Sequence, residues 1–454
     1  MIFESYNPYT TKKIAEFQSL TANEIDIKLR RSKKAFQFWK NATLEYRLGL
    51  LENLANLIEK EVDPLSIAMV EEMGKTIKEA RAEVLKCASG IRFFISQSPD
   101  WLSPEVVVSD ARESMVYHQP LGGIFLVMPW NFPLWQVLRA AVPALCVGNV
   151  ILLKHAPNVF GYSNLIENLF QKTGFPEGVF ENFIVGISEI DQITASESVA
   201  AISLTGSEGA GRSMAAIAGK YLKKCVLELG GSDPFILLPD ADLAFAANMA
   251  AKARMINNGQ SCIAAKRFLV HESVEKEFTN LLIENLKLYV PANPLLAETL
   301  LGPQARPDLV ENLNIQLSKS LKEGAELVYK METDFETGFF FLPVLLRNVQ
   351  SGMTCFDEEV FGPIASISAY NGNEDLISLA NATKYGLGAS IYTKNEAAAK
   401  KLALQLDCGT VAINAMVRSK PSLPFGGTKA SGYGRELSKY GLNEFSNVKT
   451  ITIG

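Results

Sequence analysis

Cys262 follows the run Asn257-Asn258-Gly259-Gln260-Ser261, beyond a helical segment that opens after Asp240-Ala241-Asp242. Turn chemistry at a helix end exposes the next residues on a loop. A thiol there is within reach of an electrophile; the alternative is a buried structural cysteine. Glu228 lies in the apolar run 225–229, beside Gly230 and Gly231. Burying an acid at a strand end is unfavourable without a partner or a task. Glycines beside it let a ligand approach the backbone. Such a carboxylate can be a general base toward a thiol or a water, or one half of a structural ion pair. Asn131 sits in Met128-Pro129-Trp130-Asn131-Phe132-Pro133, a loop fixed by two prolines. Its neutral amide suits an oxyanion that exists only in the transition state; alternatively the loop is a turn packing its aromatic rings.

Other segments suit a nucleotide. Leu204-Thr205-Gly206-Ser207 ends an apolar run, and Gly206 and Gly211 open a helix, a position suited to phosphate. The spacing is not the GxGxxG pattern of an ordinary dinucleotide fold. Lys154 lies just past the run 150–153 and can hold a ribose or a phosphate, or be a solvated lysine. In Glu358-Glu359-Val360-Phe361-Gly362-Pro363, acids that can accept from ribose hydroxyls adjoin a ring that can pack on a nicotinamide. Pro424-Phe425-Gly426-Gly427 precedes a second glycine-rich turn, 429–436.

Composition excludes several classes. The 454 residues carry a net charge of −5 and no long basic block, so no nucleic-acid partner is expected. Six scattered cysteines form no CxxC pair, and there are three histidines. Neither a metal site nor a disulfide framework is expected, and a reducing cytoplasm fits. Residues 1–10 show no basic stretch followed by an apolar run, so no secretory signal is expected. The apolar window 134–153 is about as long as a membrane span. Arg139, Pro143 and Gly148-Asn149 interrupt it, which predicts a helix, a turn and a buried strand.

The elements that must position these residues follow from periodicity. The first hundred residues read as helices, with a capping box at Thr21 to Glu24 and further helices over 46–60 and 75–97. Residues 106–108 and 115–117 predict a β-hairpin. From Gly123, apolar runs at 124–128, 150–153, 182–185, 200–204, 225–229 and 235–238 alternate with helical segments, the pattern of a parallel sheet under helices. A second α/β block spans about 235–414, and 448–453 alternates like an edge strand.

Taken in order, PWNFP, TGS, ELGG, GQSC, EEVFGP and PFGG resemble the NAD(P)-dependent aldehyde dehydrogenase superfamily over essentially the whole chain. The resemblance implies an α/β fold of aldehyde dehydrogenase type. It would have a Rossmann-like cofactor domain (1–103 and 121–227), an α/β catalytic domain (228–413) and a small β oligomerisation element (104–120 and 430–454). A homodimer or homotetramer is implied. So is a mechanism: Cys262 attacks an aldehyde carbon, and Asn131 with the Cys262 backbone N–H holds the thiohemiacetal oxyanion. Hydride leaves to the nicotinamide, and Glu228 activates the water that hydrolyses the thioester. Trp130, Lys154, Gly206, Ser207, Glu359 and Phe361 are the implied cofactor contacts. The presence of Glu228 argues against the coenzyme-A-acylating relatives.

Within that family the chain is similar to bacterial succinate-semialdehyde dehydrogenases. Arg139 and Ser419 match their substrate-carboxylate contacts, and Phe425 is expected to wall the substrate. Arg139 also admits a plainer reading as an internal salt bridge. Some members carry a further arginine six residues before the nucleophile. Here that residue is Ile256, and Arg254 is expected to point elsewhere. Pro157, three residues after Lys154, stands where NAD-preferring relatives carry a glutamate, so NADP is expected to be tolerated alongside NAD. No thiol adjoins Cys262, so a vicinal disulfide switch is not expected.

Overall fold

The computed structural model describes every residue except 336, together with all side chains except those of 373–375. Two mainly parallel sheets dominate it. The first has the spatial order Gly432–Tyr433, Lys224–Glu228, Val199–Thr205, Gly123–Met128, Val150–His155 and Phe180–Asn182. All neighbours are parallel except the short edge Gly432–Tyr433. The second runs Glu326–Lys330, Val344–Arg347, Ile364–Tyr370, Ala265–His271, Asp233–Leu237, Gly388–Tyr392 and Thr410–Ile413, with only the first strand antiparallel. A third, small sheet pairs Ser446–Ile453 with Glu113–Pro120 over eight residues, and Glu105–Val106 lies beyond.

Chain order in the first sheet explains where chemistry can sit. From the central strand Gly123–Met128 the chain builds outward through Val150–His155 and Phe180–Asn182. It then returns to the other side of the centre with Val199–Thr205. Such a reversal leaves a crevice at the carboxyl ends of the strands, the usual ligand position in open α/β sheets. Asn131, Lys154, Gly206 and Glu228 all lie at or just beyond those ends.

The window 134–153 folds as expected. A helix Trp135–Val147, buried at every position, is stopped by Gly148 at φ 110° and followed by the buried strand Val150–His155. A helix with no polar face must have its end groups satisfied inside the protein. Glu83 does so: one carboxylate oxygen accepts from the N–H groups of Leu134 and Trp135, both at 3.0 Å. Its other oxygen takes the fully buried Lys75 ammonium at 2.5 Å.

The capping box at Thr21 forms, as do helices Leu44–Lys60 and Ile77–Trp101. Three expectations are corrected. The first eighteen residues are not helical: Ile2–Tyr6 and Lys13–Gln18 make a hairpin. Its apolar residues pack on other segments, as Phe3 and Phe17 do on Phe160, so they show no clean alternation. An unforeseen helix, Val62–Met73, closes on Gly74. The strand expected over 182–185 is Phe180–Asn182, because its register is set by Val150–His155. Among the described residues, no helix is long and apolar enough to cross a membrane.

Removing one partner of a buried ion pair leaves an uncompensated charge and here also uncaps the helix. Glu83→Ala is expected to destabilise the fold by about 3 to 5 kcal/mol, read as a lower thermal midpoint; a midpoint unchanged from the parent would contradict this role.

Candidate active site

Cys262 lies on the loop between the helix Leu243–Met255, capped by Asp242, and the strand Ala265–His271. The loop is tightly determined. Asn257 and Asn258 adopt left-handed backbone angles, φ 55° and 58°, which asparagine tolerates better than most residues. Gly259 follows at φ 78°, and a Cβ there would come within 2.5 Å of Gly362 in EEVFGP. Asn258 donates to the carbonyls of Gly74 and Pro303 at 3.1 and 3.0 Å.

Lys266, fully buried, donates to the carbonyls of Ser261, Cys262 and Ala264 at 3.0, 2.8 and 3.1 Å. Arg254 donates to the carbonyls of Ala265 and Gly259 at 2.9 and 2.7 Å, so its guanidinium is committed to the backbone around the loop. Neither Lys266 nor Asn257 was singled out from sequence. The available signal was a pair of cations, Lys266-Arg267, inside an otherwise apolar strand.

The separated motifs meet here. Asn131 Nδ2 donates to the Gln260 carbonyl at 3.0 Å, and Asn257 Nδ2 reaches the same oxygen at 3.0 Å. The second Nδ2 hydrogen of Asn131 and the Cys262 backbone N–H have no partner among the described residues. His155 fixes the PWNFP loop. Its Nδ1 accepts from Ala156 N–H at 2.9 Å, leaving Nε2 to donate to the Pro133 carbonyl at 2.9 Å. Burial holds that imidazole neutral, pushed down to about 4. ELGG touches the nucleophile loop through Gly231, where a Cβ would lie 2.7 Å from the Cys262 carbonyl oxygen. Gly206 N–H donates to the Glu228 carbonyl at 3.0 Å, tying TGS to ELGG.

Burial raises two titratable groups at the site. Cys262 is half-buried, and desolvation pushes its thiol up to about 12 despite the nearby charges of Arg139 and Lys266. Glu228 is 2% exposed and lies against Gly426 of PFGG. Burial first, and the Glu436 carboxylate second, raise its carboxyl well above the usual range, and its Oε1 has no hydrogen-bond partner among the described residues.

Arg139 has an internal carboxylate. Its Nε pairs with Glu436 Oε2, its Nη2 donates to Thr205 Oγ1 at 3.1 Å, and its guanidinium stands 5.0 Å from the Phe425 ring centroid. Of the two readings of Arg139, the internal salt bridge is the contact the fold makes. Glu436 arrives because it and Phe425 exchange two backbone hydrogen bonds at 2.8 Å. Sequence reading quoted Glu436 only as part of a turn. Ser419, 6% exposed, accepts from Trp135 Nε1 at 3.0 Å and Lys86 Nζ at 2.9 Å.

The remaining expected residues line the strand ends. Lys154 is 7% exposed with no hydrogen bond or ion pair among the described residues, and burial pushes its ammonium down to about 8. Ser207 caps the helix Glu208–Lys220, accepting from Ala210 N–H at 3.3 Å. Glu359 Oε1 accepts from Gly231 N–H at 3.0 Å and lies 3.8 Å from Lys266. Trp130 packs edge-on to Phe361, centroids 5.9 Å apart, under the Arg306 guanidinium.

With strand ends, a thiol and amide donors assembled in this way, the chain invites comparison with known enzymes, and residues 1–451 match the aldehyde dehydrogenase family. The protein belongs to that family. It is 42% identical over 453 residues to a probable NADP(+) succinate-semialdehyde dehydrogenase of Synechocystis sp., covering 100% of each chain. It is 40% identical over 447 residues to an NAD(P)+ succinate semialdehyde dehydrogenase of Escherichia coli, covering 98% of this chain and 97% of that one. Among solved structures, the succinic semialdehyde dehydrogenase of Streptococcus pyogenes in complex with NADP+ superposes with a TM-score of 0.97. It is 34% identical and 99% of each chain is covered.

A thiol raised to about 12 is almost wholly protonated at neutral pH. Alkylation of Cys262 by iodoacetamide in the cofactor-free protein is therefore expected to climb roughly tenfold per pH unit between pH 7 and 9. Mass spectrometry of the labelled peptide reads it, and a rate already flat above pH 7 would contradict the burial argument.

Proposed function

We propose that this enzyme oxidises a short ω-semialdehyde acid, succinate semialdehyde foremost, to the dicarboxylic acid with NAD+ or NADP+. The observation that carries the reading is the convergence of Asn131, Gly231 and Lys266 on the loop of Cys262. The names of the Synechocystis sp. and Escherichia coli relatives support the substrate.

In this reading Cys262 releases its proton to solvent and attacks the aldehyde carbon as the thiolate. The oxyanion is met by the spare hydrogen of Asn131 and by the Cys262 backbone N–H, donors already oriented before the charge appears. Bound NAD(P)+ supplies the hydride acceptor. Glu228, whose carboxyl is raised by burial, acts in its deprotonated form as base toward the water that cleaves the thioester. Arg139 lies near both groups, so its charge favours the thiolate of one and the carboxylate of the other.

The residues fit a dinucleotide. Lys154 is an unpartnered buried cation at a strand end, and its burial favours an anionic neighbour. Gly206 and Ser207 stand at the positive end of a thirteen-residue helix. Trp130 and Phe361 offer ring surface, and Glu359 Oε2, which has no hydrogen bond among the described residues, offers an acceptor for a ribose hydroxyl. Pro157 opens a short 3-10 turn and brings no carboxylate near Lys154, which favours acceptance of a 2′-phosphate.

Ser419, Phe425 and the remaining N–H groups of Arg139 are assigned to the substrate's far end. Residues 1–103 with 121–227 are assigned to cofactor binding, 228–413 to catalysis, and 104–120 with 430–454 to assembly as a dimer or tetramer. Only 446–453 of that last segment joins the small sheet, since Gly432–Tyr433 pairs with Lys224–Glu228.

The test is an aldehyde panel assayed by NAD(P)H absorbance with each cofactor. Succinate semialdehyde is expected to exceed butanal in kcat/KM, and Cys262→Ala is expected to abolish turnover. Equal kcat/KM for the two aldehydes would overturn the substrate. A preference for NAD+ beyond ~1000-fold, about 4 kcal/mol, would overturn the tolerance of NADP+.

A further inference from the structure

The position of Arg139 leaves a question of charge. With Glu436 on its Nε, the guanidinium already shares its charge with an internal acid, and Ile256 supplies no second cation before the nucleophile. A substrate carboxylate drawn out of water needs a positive partner whose charge is not already matched.

One cation on this side of the fold meets that description. Lys86 lies on the helix Ile77–Trp101 with its ammonium 3.9 Å from the Trp135 ring centroid. Gly90, one turn further along, lets the helix close on the same ring, since a Cβ there would sit 2.9 Å from it. Among the described residues Lys86 has no ion pair. Glu83, the acid one turn before it, is taken by Lys75 and by the N–H groups of Leu134 and Trp135.

The hydroxyl of Ser419 points to the same conclusion independently. The Lys86 ammonium and the Trp135 indole N–H can only donate, and both donate to Ser419 Oγ, at 2.9 and 3.0 Å. With both acceptor positions filled, the Ser419 O–H must itself donate, and no described residue accepts from it. Two remaining ammonium hydrogens and one hydroxyl hydrogen thus converge without an acceptor. That is a donor set for a carboxylate. Arg139, one helical turn beyond Trp135, stands 5.0 Å from the Phe425 ring centroid, and the adjoining Gly426 lies against Glu228, so the donor set adjoins the catalytic residues.

We propose that Lys86 is a specificity-determining residue whose ammonium, with the Ser419 hydroxyl, binds the carboxylate of the semialdehyde substrate. This assignment rests on the semialdehyde reading above. Burial pushes the Lys86 ammonium down to about 8. The charged or titratable groups around it are Cys87 and Glu83 on its own helix, Arg139 on the helix packed against it, and the exposed Arg418 beside Ser419. Above pH 8 the free enzyme therefore loses the Lys86 charge, and recognition of a carboxylate weakens as pH rises.

The readout is the ratio of kcat/KM for succinate semialdehyde to that for butanal, measured with saturating cofactor on the full-length enzyme. Lys86→Met is expected to lower the ratio about 10-fold to 100-fold, through KM rather than kcat. Lys86→Arg is expected to restore most of it. In the parent enzyme the ratio is expected to fall as pH rises from 8 to 9.5. A parent ratio well above one that Lys86→Met leaves intact overturns the assignment, as does a loss seen with Arg418→Met and not with Lys86→Met. Should Lys86→Met fail to fold, a parent ratio flat between pH 7 and 9.5 overturns it. A parent ratio near one sinks the semialdehyde reading itself, a result distinct from failure of Lys86 alone.

Discussion

The buried ammonium of Lys266 holds the structure of the site together. Three carbonyls of the nucleophile loop, those of Ser261, Cys262 and Ala264, converge on it within 3.1 Å. A carbonyl buried without a donor is unfavourable, and a loop that turns through left-handed Asn257 and Asn258 cannot satisfy its carbonyls by helix or sheet pairing. The lysine supplies donors at the point where regular structure stops. Its own charge is balanced at a distance by Glu359, which also caps Gly231. Nucleophile loop, ELGG and EEVFGP are thereby locked in one arrangement, so the donors around Cys262 are oriented before any substrate arrives.

The charges around this clamp form a second constraint. Glu228 and Glu436 are both nearly fully buried, and the Arg139 guanidinium lies between their demands. Arg139 satisfies Glu436 directly and Glu228 only through space, so burial is free to raise the Glu228 carboxyl. The same commitment leaves Arg139 only its remaining N–H groups, whereas at Lys86 and Ser419 donors outnumber acceptors.

Much of this was legible without coordinates, for identifiable reasons. The strands at 123–128, 150–155, 199–205 and 224–228 are short apolar runs bounded by turn residues, and buried parallel strands leave that mark. The helix after PWNFP declared itself by length and by Gly148. The hairpin Ile2–Tyr6 with Lys13–Gln18 left no such mark, because it is exposed along much of its length and its aromatic residues pack on distant segments. Helix Val62–Met73 was hidden by the close succession of helices on either side.

What the sequence determined by itself was the set of reactive side chains and the local turns that expose them. Cys262 after a left-handed turn, Glu228 before two glycines and Asn131 between prolines are properties of a few adjacent residues. Tertiary structure decided which charges meet. Arg139 and Glu436 are 297 positions apart, and Lys86 and Ser419 are 333 apart. Electrostatic partnership depends on separation in space, and sheet order and helix packing, rather than spacing along the chain, set that separation.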